Sequence, residues 1–217
     1  KRQEYDRAIA THKFLIDKLS VKEVLFIPEE IPSLVCKLIL KNKSYASARV
    51  KVNLEPAVNI REMEENWHDR KYSLKSEGDR IIVDSNKGAI VIGWCRVGEG
   101  NPQIGEFVFG QYYKEHSPGE LQRCFVPGEW SITLDVKSMS ESNVCFIFSC
   151  GKNVDEAVSN YEQTKDSVHS LFLDKKKKYE ELLKNSSIKT SVDEINRLFR
   201  CAIVNVEKCA SESKWGF

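Results

Sequence analysis

Ala48-Arg-Val-Lys-Val-Asn-Leu-Glu55 places Val50, Val52 and Leu54 on one side of an extended chain and Arg49, Lys51 and Asn53 on the other. A period of two is what a strand covered on one face produces. Two later stretches break that alternation: Ala89-Ile-Val-Ile-Gly-Trp94 and Val144-Cys-Phe-Ile-Phe148 are apolar on both sides. They read as central strands lying between two layers. Two stacked sheets would supply both environments, so an antiparallel sandwich is the expected fold.

Working outward, the chain from Val21 to Lys152 is a succession of short runs rich in β-branched and aromatic residues, separated by Gly, Pro, Asn, Asp and Ser. Strands are predicted at Glu23–Ile27, Leu34–Lys41, Ala48–Glu55, Lys71–Lys75, Arg80–Asp84, Ala89–Arg96, Phe107–Tyr113, Trp130–Val136 and Val144–Cys150. The Gly-containing connection Asp84-Ser-Asn-Lys-Gly88 predicts that the strands on either side of it form a hairpin.

From Val154 the period changes. Val154, Ala157, Val158, Tyr161, Val168, Leu171, Phe172, Tyr179, Leu182 and Leu183 recur mostly at three- and four-residue steps. No Gly or Pro interrupts Asn153 to Asn185, so one long helix is predicted there. A second helix is predicted from Ser191, where Ser191-Val-Asp-Glu194 matches a capping box. Its residues Val192, Ile195, Leu198, Phe199, Ala202, Val206 and Cys209 form a wide apolar stripe that needs a partner surface. The close follow-on of the helices and the aromatic end Lys214-Trp-Gly-Phe217 lead to the expectation that a further domain continues beyond this point.

A chain of 217 residues, 41% of them apolar and 30% charged, suits one ample core with a helical appendage. The expected division is a β-sandwich over 1–152 and a helical linker over 153–217. With 33 basic and 32 acidic residues, the chain lacks the overall charge expected of a nucleic-acid binder, and the lysine run Lys175–Lys178 reads as a solvated helix face. No apolar stretch is long enough for a membrane span. Seven cysteines without a C-x-x-C pair argue for a reduced, cytoplasmic protein and against a zinc ribbon. Asn42-Lys-Ser44 and Asn185-Ser-Ser187 match the glycosylation acceptor pattern, which leaves a secreted alternative standing.

Catalytic constellations are missing from the sequence. His12, His68, His116 and His169 lie far apart with no metal-ligand spacing, and Val97-Gly-Glu-Gly-Asn101 lacks the form of a phosphate-binding loop. No catalytic residue, metal ligand or cofactor is assigned. The richest polar segment is Asn59-Ile-Arg-Glu-Met-Glu-Glu-Asn-Trp-His-Asp-Arg70. There Trp67 offers a plane for the C–H face of a sugar, with Arg61 and His68 as polar neighbours. The same segment also reads as a charged loop in which Trp67 anchors to the sheet, or as one that contacts a neighbouring domain. Trp94 and Trp130, by contrast, sit in or beside apolar runs and read as core.

Three stretches carry a family resemblance: Val58-Asn-Ile-Arg-Glu-Met63, Gln111-Tyr-Tyr-Lys-Glu115 followed by Phe125-Val-Pro-Gly128, and the helical tail through Lys178-Tyr-Glu-Glu-Leu-Leu183 and Ile188–Ile195. Their order resembles the N-terminal domain of glycogen-debranching-type, amylo-α-1,6-glucosidase-like glycoside hydrolases with an (α/α)6 catalytic barrel. His116-Ser-Pro-Gly119 departs from that pattern, so no sugar contact is carried over there. The resemblance implies a non-catalytic, supersandwich-like domain with two linker helices, packing against its own C-terminal catalytic barrel in an enzyme that acts on α-glucans. The catalytic carboxylates would lie in that barrel. The alternative is a stand-alone carbohydrate-binding or protein-interaction module. On either reading no nucleic acid or membrane partner is expected.

Overall fold

A computed structural model describes residues 2–6, 8–60, 71–95, 103–115, 123–186 and 188–209. The described strands are β1 Arg2–Asp6, β2 Ile9–Ile16, β3 Leu19–Phe26, β4 Ser33–Asn42, β5 Ala48–Leu54, β6 Ser73–Glu77, β7 Arg80–Ser85, β8 Gly88–Cys95, β9 Gln103–Ile104, β10 Val108–Glu115, β11 Arg123–Val136 and β12 Glu141–Gly151. Helices α1 Val154–Asn185 and α2 Asp193–Cys209 follow. The fold is mainly β, with two antiparallel sheets and two C-terminal helices, as the sequence predicts.

The larger sheet has eight strands in the order β1-β2-β3-β4-β12-β8-β7-β6, which puts the two-faced strands β8 and β12 side by side near its middle. The smaller sheet is organised around β11. Trp130–Val136 of that strand pair with β5, and β9 and β10 follow one another along the other side. The predicted hairpin is present, with Ser85 opposite Gly88 and Asp84 opposite Ala89. Strands β1 and β2 lie ahead of Val21, where no strand is read from the sequence, and β3 begins four residues before the predicted Glu23–Ile27. This outer part of the sheet is only partly covered, so Ile9-Ala-Thr-His-Lys-Phe-Leu-Ile16 carries little contrast between its faces.

Between the sheets lies a core of Val21, Leu40, Ile81, Val83, Ile92, Trp130, Ile132, Leu134, Val144 and Phe146, against which Val50, Val52 and Leu54 pack. Arg49 and Asp135 face outward as an ion pair at 2.8 Å. The sandwich accounts for one face of β8 and β12. Their other face is covered by α1, a point on which the structure departs from the simple two-sheet expectation. Val91, Cys95, Cys145 and Ile147 meet Ala157, Tyr161 and Val168 of the helix, and Phe26 meets Phe172 edge-on at 5.5 Å. The molecule therefore has three layers: small sheet, large sheet, helix.

Polar contacts fix α1 on the sheet. Asn153 caps its first turn by accepting from the Glu156 amide at 2.9 Å. Thr164 donates to Ser33 Oγ at 2.9 Å, and Ser33 bonds Ser149 at 2.6 Å, so the buried hydroxyls are satisfied. At the far edge Lys165 pairs with Asp79, and Arg80 pairs with Glu162 and Glu77. No described helix is long and apolar enough to cross a membrane.

Asn42, within the first acceptor triplet, is 2% exposed. Its amide donates to the carbonyls of Ala46, Val136 and Lys137 and its oxygen accepts from the Ser44 amide, so it pins the β4–β5 turn and is not open to a glycan. The predicted capping box of α2 is also replaced. The helix begins at Asp193, and the turn before it is held by the Asn196 side chain, which accepts from the Thr190 amide at 2.8 Å and donates to the Thr190 carbonyl at 3.0 Å. That pair captures the chain two residues beyond Ser191.

Tyr161 seats on Gly93: a Cβ there would come within 2.6 Å of Tyr161 Cζ. Gly93→Ala is therefore expected to destabilise the fold by about 1–3 kcal/mol through overpacking. Urea denaturation checks this, with a lowered midpoint and an unchanged slope expected.

Candidate functional site

The three residues proposed for sugar contact, Arg61, Trp67 and His68, lie outside the described residues. The two ends of their segment are described and meet at the small sheet. The Ile60 amide lies 3.4 Å from the Tyr72 hydroxyl, and Tyr72 stacks on Phe125 at 4.7 Å. Trp130 is buried and meets Phe107 edge-on at 4.7 Å, while Trp94 packs against the inter-sheet core. Both are core, as the sequence indicates.

One row of polar groups deserves a chemical test. On β2, β3 and β4, His12 Nδ1 lies 2.6 Å from Glu23 Oε2, and the Cys36 thiol donates to Glu23 Oε1 at 3.7 Å. The carboxylate thus stands between thiol and imidazole, the reverse of the order in which a base would activate a nucleophile. Burial, with the Glu23 charge beside it, pushes the Cys36 thiol up to about 12. The thiolate is thereby disfavoured, and the order of the three groups does not arm Cys36 as a nucleophile. Among the described residues no group of three His, Cys, Asp or Glu is placed to hold a metal ion.

Among the described residues, exposed surfaces on α2 and β10 combine apolar and charged groups. The first is on α2. This helix lies on α1 through Val204, which joins Ala8, Tyr179, Leu182 and Leu183, while Val192, Ile195, Leu198 and Val206 stay exposed. The apolar stripe read from the sequence is thus mostly not the face that α2 uses against the body of the protein. Leu198 is 65% exposed and Val206 71%.

A charged clamp holds α2 in this orientation. Lys175 and Lys178 of α1 reach Glu29 in the β3–β4 connection, and Lys178 also reaches Glu207 of α2, whose other oxygen accepts from the Tyr179 hydroxyl. Burial alone would raise both carboxyls. The Lys175 and Lys178 ammonium groups outweigh it at Glu29, and Lys178 with the Tyr179 hydroxyl outweighs it at Glu207, so both are held below the usual carboxylate range.

The second surface is on β10. Tyr112 and Lys114 both reach Glu55 on the outer face of the small sheet, Lys114 at 2.9 Å. Tyr113 turns the other way and packs on Phe125 at 5.5 Å. Val108 lies opposite Glu129 and is 61% exposed, and Tyr112 is 43% exposed. The register shifts between Phe109 and Tyr112, a bulge of the kind that re-aims side chains at functional edges. Gln111-Tyr-Tyr-Lys-Glu115 is visible in the sequence as a motif, but which of its rings faces outward depends on this bulge.

No protein-family model and no curated protein matches the chain. Among solved structures, it superposes on a provisionally assigned kojibiose phosphorylase from the human microbiome with a TM-score of 0.56 at 10% identity, covering 92% of this chain and 27% of that one. The likeness is one of fold, and the chain spans about a quarter of the phosphorylase's length. Heparan sulfate lyase HepC from Pedobacter heparinus gives a TM-score of 0.44 at 9% identity over 70% of this chain and 22% of its own. Heparinase III also gives 0.44 at 9% identity, over 72% and 21%. These last two fall too low to bear on the argument.

The clamp sets a pH dependence. Because Glu29 and Glu207 are depressed in the folded state, their contribution is complete above the unfolded value of about 4.3 and is lost as pH falls through their folded values. Hydrogen exchange is expected to show Asp193–Cys209 losing protection on acidification below about pH 4 before β12 does. Glu207→Gln is expected to loosen the same helix at neutral pH.

Proposed function

We propose that this chain is a non-catalytic β-sandwich module of a glycan-processing enzyme, which packs against and supports a larger helical catalytic domain through the open face of α2. The observation that carries the reading is the set Val192, Ile195, Leu198 and Val206, exposed on a helix whose opposite side is already tied to α1 and the sheet. The shared fold with a phosphorylase several times longer supports it from a separate direction.

The energetics favour a partner in the same polypeptide. Covering four aliphatic side chains that are about half exposed is worth on the order of 4 kcal/mol. Bringing two free proteins together costs at least that much in lost rotational and translational freedom. A tethered domain avoids most of that cost through its high effective concentration. The resemblance of the 178–195 stretch and of the Tyr-Tyr and Pro-Gly blocks to debranching-type enzymes extends the reading to a cytoplasmic enzyme acting on α-glucans, with an (α/α)6 barrel as the docked domain. Arg61, Trp67 and His68 are kept in this reading as the candidate sugar contacts.

Two measurements test the proposal. The purified 217-residue chain is expected to release no sugar from maltodextrin or glycogen, and turnover by it would sink the non-catalytic reading. In the longer protein, Leu198→Asp is expected to lower the melting temperature while leaving that of the 217-residue chain unchanged. An equal effect in both would contradict docking at this face.

A further inference from the structure

We propose that the end of the sandwich formed by the β2–β3, β4–β5 and β11–β12 turns docks on an anionic lipid surface. This is the end of β3 opposite to the Glu29 clamp, roughly 25 Å away along the strand, so the surface is separate from the open face of α2. Hydrogen bonds knit the three turns into one platform. The Lys43 amide donates to the Lys18 carbonyl at 3.0 Å, the Asn42 amide to the Ser140 carbonyl at 2.9 Å and the Met139 amide to the Ser44 carbonyl at 3.1 Å. At their centre the buried Asn42 side chain joins Ala46 to Val136 and Lys137.

Apolar side chains project from this platform. Leu15 and Ile16, which lead into the first turn, are 63% and 55% exposed, Tyr45 in the second is 93% exposed and Met139 in the third 61%. Met139 holds φ at +51°, a left-handed conformation that favours glycine, so a bulky thioether stands outward where the turn by itself would not select one.

Lysines surround these side chains. Lys18, Lys41, Lys43, Lys51 and Lys137 are exposed here, against Asp17 and Glu141. Arg49 is taken by Asp135, and among the described residues none of those five lysines forms an ion pair. The net charge of +1 over the whole chain conceals this local excess. Between the β2–β3 turn and β5 lies a depression of about 520 Å³, lined in part by Lys18, Ser44, Ser47 and Lys51, which offers ammonium and hydroxyl donors to a phosphate-bearing headgroup.

The aliphatic tips decide between anionic partners. Duplex nucleic acid rewards the planar fork of arginine and gives Leu15, Ile16 and Met139 no apolar cover. A second copy of the chain would set lysine against lysine. A bilayer with anionic lipids answers both features, taking the apolar side chains into its interface while the ammonium groups reach its phosphates and carboxylates.

The test is cosedimentation of the 217-residue chain with vesicles of phosphatidylcholine containing phosphatidylserine, and with vesicles of phosphatidylcholine alone. Binding to the anionic vesicles is expected, weakened by added salt, with little binding to the neutral ones. Lys18→Glu combined with Lys43→Glu is expected to weaken binding at least about tenfold, since each lysine near the surface attracts it and each glutamate opposes it. Tyr45→Ala combined with Met139→Gly is expected to weaken binding about tenfold without lowering the melting temperature, because Tyr45 is exposed and glycine suits the backbone at 139. On anionic vesicles, hydrogen exchange is expected to slow at 43–47 and 137–140 and to stay unchanged in α2. Absence of binding to anionic vesicles, equal binding to neutral ones, or full binding by either folded double variant would each overturn the proposal. Capture of duplex DNA that needs the lysines but not Tyr45 and Met139, with no response to vesicles, would assign the face to nucleic acid and overturn it too. None of these outcomes touches docking by α2, which is read from Leu198→Asp.

Discussion

The structure depends on a packing constraint in β8 and β12. Both strands carry apolar side chains on both faces, so the large sheet cannot stop at a two-layer sandwich. Val144, Phe146 and Ile92 need the small sheet on one side, and Cys145, Ile147 and Val91 need cover on the other. The chain provides that second cover with α1. Helices in proteins draw most of their stability from packing of one apolar face, and it is the buried line Ala157, Tyr161, Thr164 and Val168 that fixes α1 in place. Gly93 is small because Tyr161 occupies the space that a side chain would need.

The consequences run outward from this contact. Once α1 is fixed on the sheet, its last turns carry Lys175, Lys178 and Tyr179 to Glu29 and Glu207, and α2 is oriented by that clamp and by Val204. The face of α2 that stays open is set by how the sheet is covered two layers below. The small sheet shows a parallel dependence. Its inner face along β5 and the second half of β11 is committed to the core, and the Tyr112–Glu55–Lys114 group stands on the outer face.

Much of this is legible in sequence because hydrophobic period reports burial directly. The alternation of Ala48–Glu55, the two-faced runs around Ile92 and Phe146, and the helical period after Val154 each identify their element. The partner of a two-faced strand is not written in that strand, so a second sheet and a helix are equally compatible with Val144–Phe148. The β1 and β2 strands escape notice because their faces differ little in exposure. Capping at α2 is misplaced because a Ser-x-x-Glu spacing is satisfied by chance, while Thr190 and Asn196 form the actual network across six residues. The site is least legible. The Tyr112–Glu55–Lys114 group depends on a bulge and on a carboxylate from another strand, and Arg61, Trp67 and His68 are read from residue type alone.

The central claim is that α1 is a structural layer, without which the sheet cannot stand and α2 has no platform. It is tested most directly by producing residues 1–152 alone and following their unfolding in urea by tryptophan emission and circular dichroism. The account predicts no cooperative transition and exposure of the Val91, Cys145 and Ile147 face, seen as aggregation or dye binding. A cooperative transition at the same midpoint as the full 217 residues would contradict it.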